Sequence, residues 1–155
     1  MAETVTVLAG PPDRVFALLG DPRSLSYFVV GTKTIRQFDP HWPDPGTKVH
    51  HTIGIGPLAL SDETEVRESE ADRRLVLDAK IRPFGIFRVE FDVAPHAEGT
   101  SLTVNEFPLS GVAALPAMSA VVDRLIRLRN IELSRRLQNL AERRERQWAM
   151  VHADD

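Results

Sequence analysis

The sequence of 155 residues predicts an α+β fold, in which a curved seven-stranded antiparallel sheet wraps one long C-terminal helix and two short helices follow the first strand. The middle of the chain alternates apolar and polar residues between closely spaced turns, which is typical of antiparallel strands with one solvated face. Residues 118–148 contain no Gly or Pro and place apolar residues at helical spacing, so they predict one long helix. A sheet with one apolar face needs a cover, and this helix is the element left to provide it.

The N-terminal segment predicts one strand followed by two short helices. Residues 3–8 alternate with a period of two, which indicates a half-buried strand with Val5 and Val7 as its apolar residues. Pro11-Pro12 suits the first turn of a helix, where a missing N–H is tolerated. Asp21-Pro22 repeats the signal, because an N-capping carboxylate directly precedes a proline at the first helical position.

Six further strands are expected between about Val29 and Glu106, separated by turns rich in Pro, Gly and Asp. Their alternation predicts an inner face formed by Val49, His51, Ile53, Ile55, Leu58, Leu60, Asp62, Thr64, Val66, Leu75, Leu77, Ala79, Ile81, Phe87, Val89, Phe91, Val93, Leu102, Val104 and Glu106. A solvated outer face is expected at Lys48, Glu63, Glu65, Arg67, Arg74, Lys80, Arg82, Arg88, Glu90 and Asp92. The helical stripe that covers the inner face is predicted at Met118, Val122, Leu125, Leu133 and Leu140.

Composition and charge exclude several classes of protein. A hydrophobic content of 43% with 26% charged residues is ordinary for a globular protein. The net charge of −3 provides no general attraction to phosphate backbones, so we expect no nucleic-acid partner. The chain has no cysteine, which excludes disulfides and thiolate chemistry and suits a reducing cytoplasm.

The chain is expected to form one domain over residues 1–151, with a loose tail at residues 152–155. Its N-terminus lacks the basic and apolar regions of a signal peptide. The longest uncharged run, residues 107–122, is interrupted by Gly and Pro and is shorter than the about 20 residues that a membrane span needs. We therefore expect a cytoplasmic protein without membrane insertion, as a monomer or homodimer.

Two patterns that resemble cofactor or metal motifs are explained more simply. Residues 54–59 match a loose G-x-G-x-x-A dinucleotide pattern, but the following residues alternate as a strand and a hairpin turn accounts for the glycines. His50 and His51 are adjacent in a strand and point to opposite faces, so they cannot bind one metal ion together. We expect no cofactor and no metal site.

Four polar residues share inward parity with apolar neighbours, namely His51, Asp62, Thr64 and Glu106. Polar groups that converge on an apolar pocket are how small-molecule sites orient a ligand, so His51, Asp62 and Glu106 are the candidate catalytic residues. Alternatives remain for two of them. His51 could be a core histidine satisfied by a neighbour or an exposed one near the rim, and a bulge near Gly56-Pro57 would turn Asp62 outward.

Arg129 lies inside the apolar stripe of the long helix, between Leu125 and Leu133, where a charge is costly unless it is paired. Glu106 lies on the inner face of the last strand, which this stripe covers. We therefore predict a buried, hydrogen-bonded ion pair between Glu106 and Arg129. If both instead line an open cavity unpaired, they become candidates for gripping a polar ligand group.

Several short segments occur in a distinctive order along the chain, namely Ala9-Gly10-Pro11-Pro12-Asp13-Arg14-Val15-Phe16, Leu18-Leu19-Gly20-Asp21-Pro22, Pro45-Gly46-Thr47, Gly54-Ile55-Gly56-Pro57, Arg73-Arg74-Leu75-Val76-Leu77, Gly99-Thr100 and Arg129-Asn130. Together with the order of elements, they resemble the SRPBCC or START-like helix-grip superfamily, and within it the polyketide cyclase/dehydrase-type proteins. The resemblance covers nearly the whole chain and implies a cavity between the sheet and the long helix. Its members range from carriers to cyclases and hydrolases, so it implies no catalytic residue here.

The leading hypothesis is binding of a hydrophobic or aromatic small molecule, lipids included, in a cavity between sheet and helix, for a carrier, sensor or sequestering role. The predicted ligand-binding residues are Tyr27, Phe28, His51, Ile53, Leu60, Thr64, Phe87, Phe91, Glu106, Val122, Leu125 and Arg129. One alternative is a cofactor-free cyclase, dehydratase or hydrolase that uses His51 with Asp62 or Glu106 as acid and base. Another is a protein-interaction module that uses the exterior of the sheet.

Overall fold

The computed structural model describes residues 1–55 and 57–153. Its regular elements are β1 (Ala2–Leu8), α1 (Pro12–Leu19), α2 (Pro22–Phe28), β2 (Thr32–Phe38), β3 (Lys48–Ile55), β4 (Leu58–Glu70), β5 (Arg74–Ile81), β6 (Gly85–His96), β7 (Gly99–Pro108) and α3 (Ser119–Val151), with two single-turn 3-10 helices at Val112–Ala114 and Pro116–Met118. The predicted order of one strand, two short helices, six strands and a long terminal helix is confirmed.

The seven strands form one antiparallel sheet in the order β1-β7-β6-β5-β4-β3-β2. Consecutive strands from β2 to β7 are neighbours, and β1 closes the far edge by pairing with β7. The pairs Gly54 with Ala59 and Ile55 with Leu58 flank the predicted hairpin turn. Gly56, which belongs to that turn and to the G-x-G pattern, lies outside the described residues, as do residues 154–155 of the predicted tail.

The two short helices begin as their prolines predict. Pro12 and Pro22 each lie in the first turn, and Asp21 Oδ1 accepts a hydrogen bond of 3.0 Å from the backbone N–H of Arg23. Both helices bury their apolar residues against the sheet and α3, in a core with Val15, Phe16, Leu18, Leu19, Leu25 and Phe28.

The inner face of the sheet follows the predicted parity from β3 to β7. The buried residues include Val49, Val66, Leu75, Leu77, Val89, Phe91, Val93, Leu102 and Val104, and they pack against Leu133, Leu137 and Ala141 of α3 in the main core. A second, smaller cluster of Ala2, Phe87, Ala113, Val122 and Ile126 lies at the N-terminal end of α3. The outer face carries paired charges as expected, for example Arg88 with Asp78 at 2.8 and 2.9 Å.

The predicted apolar face of β1 is wrong. Ala2 pairs with Glu106 and Leu8 pairs with Thr100, so the register gives β1 an inner face of Ala2, Thr4, Thr6 and Leu8. Val5 points outward and is exposed. Thr6 is tolerated on the inner face because its Oγ1 accepts a hydrogen bond of 3.0 Å from the Gln138 side chain of α3.

The predicted stripe of α3 is rotated along its N-terminal half. Val122 and Leu133 are buried as expected, but Leu125 is 61% exposed and Ile126 is buried in its place. The buried face consists of Val122, Ile126, Asn130, Leu133, Ser134, Leu137 and Ala141. Apolar residues occur on two faces of this half of the helix, so their spacing does not determine which face meets the sheet.

Candidate ligand-binding site

A small enclosed cavity lies between the inner face of the sheet, α2 and α3. Its volume is about 40 Å³, close to the roughly 30 Å³ that one water molecule occupies in the liquid. The wall is mainly apolar, and it is formed by Leu25, Val29, Thr32, Ile35, His51, Thr64, Leu77, Ala79, Val89, Phe91, Arg129 and Leu133. In this conformation the cavity is too small for an organic ligand.

His51 is a buried polar group in the wall of this cavity. Its Nε2 lies 2.8 Å from the hydroxyl oxygen of Thr64 on the neighbouring strand, and both side chains are buried. Its Nδ1 is buried without a hydrogen-bond partner among the described residues. Burial lowers the pKa of His51, and the nearby Asp62 carboxylate only partly opposes this effect. The imidazole is therefore neutral at pH 7, with one ring nitrogen available to a ligand.

The predicted pairing of Glu106 with Arg129 is confirmed as an ion pair, but the predicted hydrogen bond between them is not formed. Arg129 Nη1 lies 2.9 Å from Glu106 Oε1, and the Glu106 side chain is fully buried. Neither Glu106 carboxylate oxygen has a hydrogen-bond partner within residues 1–55 and 57–153. The two polar atoms of the neighbouring Asn130 side chain are also buried without a partner there. Arg129 Nε is buried and unpartnered as well. The pair is thus close in space but incompletely satisfied.

Burial is also the main influence on the pKa of Glu106. It raises the pKa of this carboxyl, and the positive charge of the Arg129 guanidinium lowers it to a smaller extent. A carboxyl in this environment takes up a proton more readily than one in water. Glu106 therefore has the property that a general acid needs.

Asp62 is buried on the inner face, opposite His51 in the register, and no bulge turns it outward. Its carboxylate accepts hydrogen bonds from the backbone N–H of Arg82 at 2.8 Å and from Arg82 Nε at 3.2 Å. These bonds tie the end of β5 to β4, and Asp62 borders an open polar depression rather than the apolar cavity. The structure thus brings His51 and Thr64 into the cavity and leaves Asp62 outside it.

A second, larger space opens beside the enclosed cavity. This cleft has a volume of about 200 Å³ and is lined by Ile81, Phe84, Phe87, Ala113, Val122, Leu125, Ile126 and Arg129. Arg129 also lines the enclosed cavity, so its side chain stands between the two spaces. The backbone around the cleft is tightly joined, since a Cβ at Gly85, which has a φ of +130°, would lie 1.9 Å from the Ser110 carbonyl oxygen.

The residues predicted to bind a ligand fall into four groups. His51, Thr64, Phe91 and Arg129 line the enclosed cavity, and Phe87, Val122, Leu125 and Arg129 line the cleft. Glu106 lies behind Arg129. The remaining residues, Tyr27, Phe28, Ile53 and Leu60, line neither space.

Physical reasons explain two of these placements. Leu60 lies on the inner side of β4 near the hairpin, and its side chain is 46% exposed. Tyr27 is on the surface of α2, with the Arg143 guanidinium 4.9 Å above the centre of its ring and hydrogen-bonded to its hydroxyl. An aromatic ring engaged by a surface arginine is held away from the interior.

Sequence reasoning missed the wall that α2 and β2 provide, which consists of Leu25, Val29, Thr32 and Ile35. Two irregularities in the pairing of β2 with β3, between Thr32 and Thr34 and between Ile35 and Gln37, interrupt the period of two. Parity is therefore not readable in β2.

A family model described as polyketide cyclase / dehydrase and lipid transport matches residues 1–145. The chain belongs to this family. The match covers β1 through most of α3, so it includes every residue that lines the cavity and the cleft.

Solved structures of similar fold include proteins from several bacteria. A protein from Chromobacterium violaceum is 18% identical with a TM-score of 0.68, covering 90% of this chain and 96% of that one. A protein from Rhodobacter sphaeroides is 20% identical with a TM-score of 0.68, covering 89% of each chain. The di-domain aromatase/cyclase StfQ of the steffimycin biosynthetic pathway is 14% identical with a TM-score of 0.69, covering 92% of this chain and 50% of that one.

At these identities the structural matches establish the helix-grip fold and nothing finer. No curated protein matches the chain significantly. Among the described residues, no helix has the length and apolar character to cross a membrane. Within residues 1–55 and 57–153, no three His, Asp or Glu side chains come together as metal ligands would.

Proposed function

We propose that this protein binds a small apolar or aromatic molecule between the sheet and α3, with His51 and Arg129 orienting its polar atoms. The observation that supports this most directly is that both residues line the same apolar cavity and each has a buried nitrogen without a partner, His51 Nδ1 and Arg129 Nε. A buried polar group without a partner is costly, and a ligand oxygen at that position would remove the cost.

The size of the enclosed cavity sets a condition on this proposal. Ligand pockets usually measure about 300–1,000 Å³, whereas the cavity holds about 40 Å³ and the cleft beside it about 200 Å³. Both spaces are lined by Arg129, a residue of α3 whose flexible side chain is 20% exposed. Rotation of Arg129 would join them. We propose that a ligand enters from the cleft and that the Arg129 side chain rotates to contact its polar atoms.

A second candidate function is acid–base catalysis on a ligand in the same place. The pKa values of two buried groups are shifted in opposite directions, because burial lowers the pKa of His51, as suits a proton acceptor, and raises the pKa of Glu106, as suits a proton donor. This pairing suits a cyclase, dehydratase or hydrolase that needs no cofactor. Asp62 is a less suitable candidate for the acid than Glu106, because its carboxylate already accepts hydrogen bonds from Arg82.

Binding is tested with the neutral fluorescent dye N-phenyl-1-naphthylamine and a series of aromatic and acyl competitors. We expect one dye per folded chain, displacement by the competitors, and a rise in melting temperature that grows with ligand concentration. Ala79→Phe, which places a ring in the cavity wall, should abolish binding, whereas Val5→Ala on the outer side of β1 should leave it unchanged. A folded protein that binds neither dye nor competitors would refute the proposal.

Catalysis is tested on any bound compound that is turned over. His51→Ala should abolish turnover and leave binding within about tenfold if His51 is an acid or base. Equal losses of turnover and binding would assign His51 to ligand positioning. Unchanged activity and affinity would make it a core histidine satisfied by Thr64.

A further inference from the structure

Large exposed apolar side chains are concentrated at one end of the molecule. The N-terminal half of α3 exposes Val121, Leu125, Leu128 and Ile131, and the preceding segment exposes Leu109, Val112, Leu115 and Met118. Phe84, in the turn between β5 and β6, is 49% exposed beside them. Singly exposed apolar residues are ordinary, but a group of this size marks an interaction surface.

These side chains form a continuous surface rather than scattered points. Val121, Leu125 and Leu128 follow each other at intervals of four and three, so they lie along one side of α3, and Met118 directly precedes the helix. Phe84 and Leu125 lie together at the mouth of the cleft, and Leu128 shares a surface depression with Arg124 and Arg127. We call the set of Phe84, Val121, Leu125, Leu128, Arg124 and Arg127 the apolar end.

The charges that border the apolar end are positive. Arg124 and Arg127 are exposed, and neither has an acidic partner among the part of the chain that the structure describes. The nearby Asp123 is occupied, because its Oδ1 lies 2.8 Å from the terminal amino group of Met1. Arginines further along α3 differ, since Arg135 and Arg136 both pair with Glu132.

The sign of these charges distinguishes between possible partners. A second copy of this chain would bring Arg124 and Arg127 toward the same arginines across a two-fold axis, where like charges repel. An anionic bilayer accepts both features, because exposed leucine and phenylalanine enter the interface and arginine contacts the phosphate groups. We propose that the apolar end adsorbs to anionic lipid bilayers. The interaction is peripheral and local, which is compatible with a net charge of −3 for the whole chain.

This docking has a geometric consequence for the cleft. Phe84 and Leu125 belong both to the apolar end and to the cleft wall. A bilayer that contacts the apolar end would therefore cover the mouth of the cleft. The adsorption itself depends only on exposed side chains, so it does not require that the cavity bind a ligand.

Co-sedimentation with vesicles tests the proposal. We expect the protein to bind vesicles of phosphatidylcholine with phosphatidylserine and to bind vesicles of phosphatidylcholine alone much less. The double change Leu125→Ser and Leu128→Ser should reduce the partition coefficient by about tenfold or more. Arg124→Glu should reduce it by at least about fivefold, since one basic residue at an anionic surface contributes about that factor.

Matched changes at the other end of α3 serve as controls. Met150→Ser and Arg146→Glu remove an exposed apolar residue and an exposed arginine of the same helix, and both variants should bind vesicles as the parent does. No vesicle binding by the parent would overturn the proposal. Equal binding to both vesicle types, or equal losses in the control variants, would overturn it too. A concentration-dependent dimer that Leu125→Ser dissociates, without vesicle binding, would assign the surface to a second copy.

Discussion

The two halves of α3 contact the rest of the protein in different ways. In the C-terminal half, Leu137 and Ala141 belong to the main core. Surface pairs hold this half to the first two helices, with Arg14 bonded to both Glu145 oxygens at 2.7 and 2.8 Å. In the N-terminal half, Val122 and Ile126 pack into the smaller apolar cluster, but the interior also contains the incompletely satisfied Glu106–Arg129 pair. The C-terminal half is mainly core, whereas the N-terminal half combines buried charges with exposed apolar side chains such as Leu125 and Leu128.

The difference indicates which part of the fold is free to serve function. The packed core of the C-terminal half gives stability, and the space of about 190 Å³ beside it is lined by Arg14 and Glu145, which already pair with each other. The unpaired nitrogens, the cavity and the cleft all lie under or beside the N-terminal half. Polar groups that cost stability in a protein interior are typical of sites that bind or react.

The largest effect is expected from breaking the interior ion pair. Arg129→Met should destabilise the protein by about 3–5 kcal/mol, because it leaves a fully buried carboxyl without a counter-charge. Glu106→Gln should cost less, since Arg129 retains 20% exposure to water. The double variant should recover much of the loss. Urea unfolding of all four proteins measures the coupling, and strictly additive losses would show that the pair does not interact.

A core substitution in the C-terminal half should have the next largest effect. Leu137 is fully buried, so Leu137→Ala should cost about 2–5 kcal/mol through lost packing and the resulting cavity. The matched change in the other half, Leu125→Ala, should stay within about 0.5 kcal/mol because that side chain is largely exposed. Thermal and urea unfolding of both variants compare the halves directly. Similar losses would mean that Leu125 is buried in solution, for example between two chains.

The smallest expected effect is a change in how stability depends on pH. The folded-state pKa of Glu106 is raised above its ordinary value of 4.5, so the folded state keeps this proton more tightly than the unfolded state. The contribution of Glu106 to the free energy of unfolding is complete below pH 4.5 and is lost as the pH rises through the folded-state pKa. Glu106→Gln removes the dependence, so the stability deficit of this variant should shrink as the pH rises above 4.5.

His51 provides a control of opposite sign for this measurement. Its folded-state pKa lies below the ordinary value of 6.5, so its contribution is complete above that value and is lost as the pH falls through the folded pKa. The deficit of His51→Gln should therefore shrink as the pH falls below 6.5. Melting temperatures at a series of pH values measure both trends. Parallel profiles for the parent and both variants would contradict the two shifts.

The sequence was sufficient for the element order and for the inner face of β3 to β7, because alternation in paired strands is a strict geometric signal. It was also sufficient for the Glu106–Arg129 pair, since two charges at buried positions need partners. It failed in β1, where the small Ala2 and the hydrogen-bonded Thr6 lie inside while Val5 lies outside. Register with β7 decides that face, and register is a property of the pair of strands.

The candidate site was less predictable for two physical reasons. Choosing Leu125 over Ile126 depended on how α3 is rotated against the sheet, and this rotation is a tertiary property. The buried Asp62 carboxylate accepts its hydrogen bonds from Arg82, which lies 20 residues away and just beyond the end of a neighbouring strand. Spacing along one element contains neither piece of information.

The irregular pairing of β2 also matters for how this protein behaves at high concentration. An edge strand presents unpaired backbone groups that can join the sheet of another molecule, and regular edges of this kind start aggregation. β2 is one of the two edge strands, and its register with β3 shifts at two points. It also carries Lys33 and Arg36. A bent edge with two positive charges is a poor template for a further strand. The irregular pairing that makes the wall of the cavity unpredictable from the sequence therefore also protects the sheet from intermolecular β-pairing.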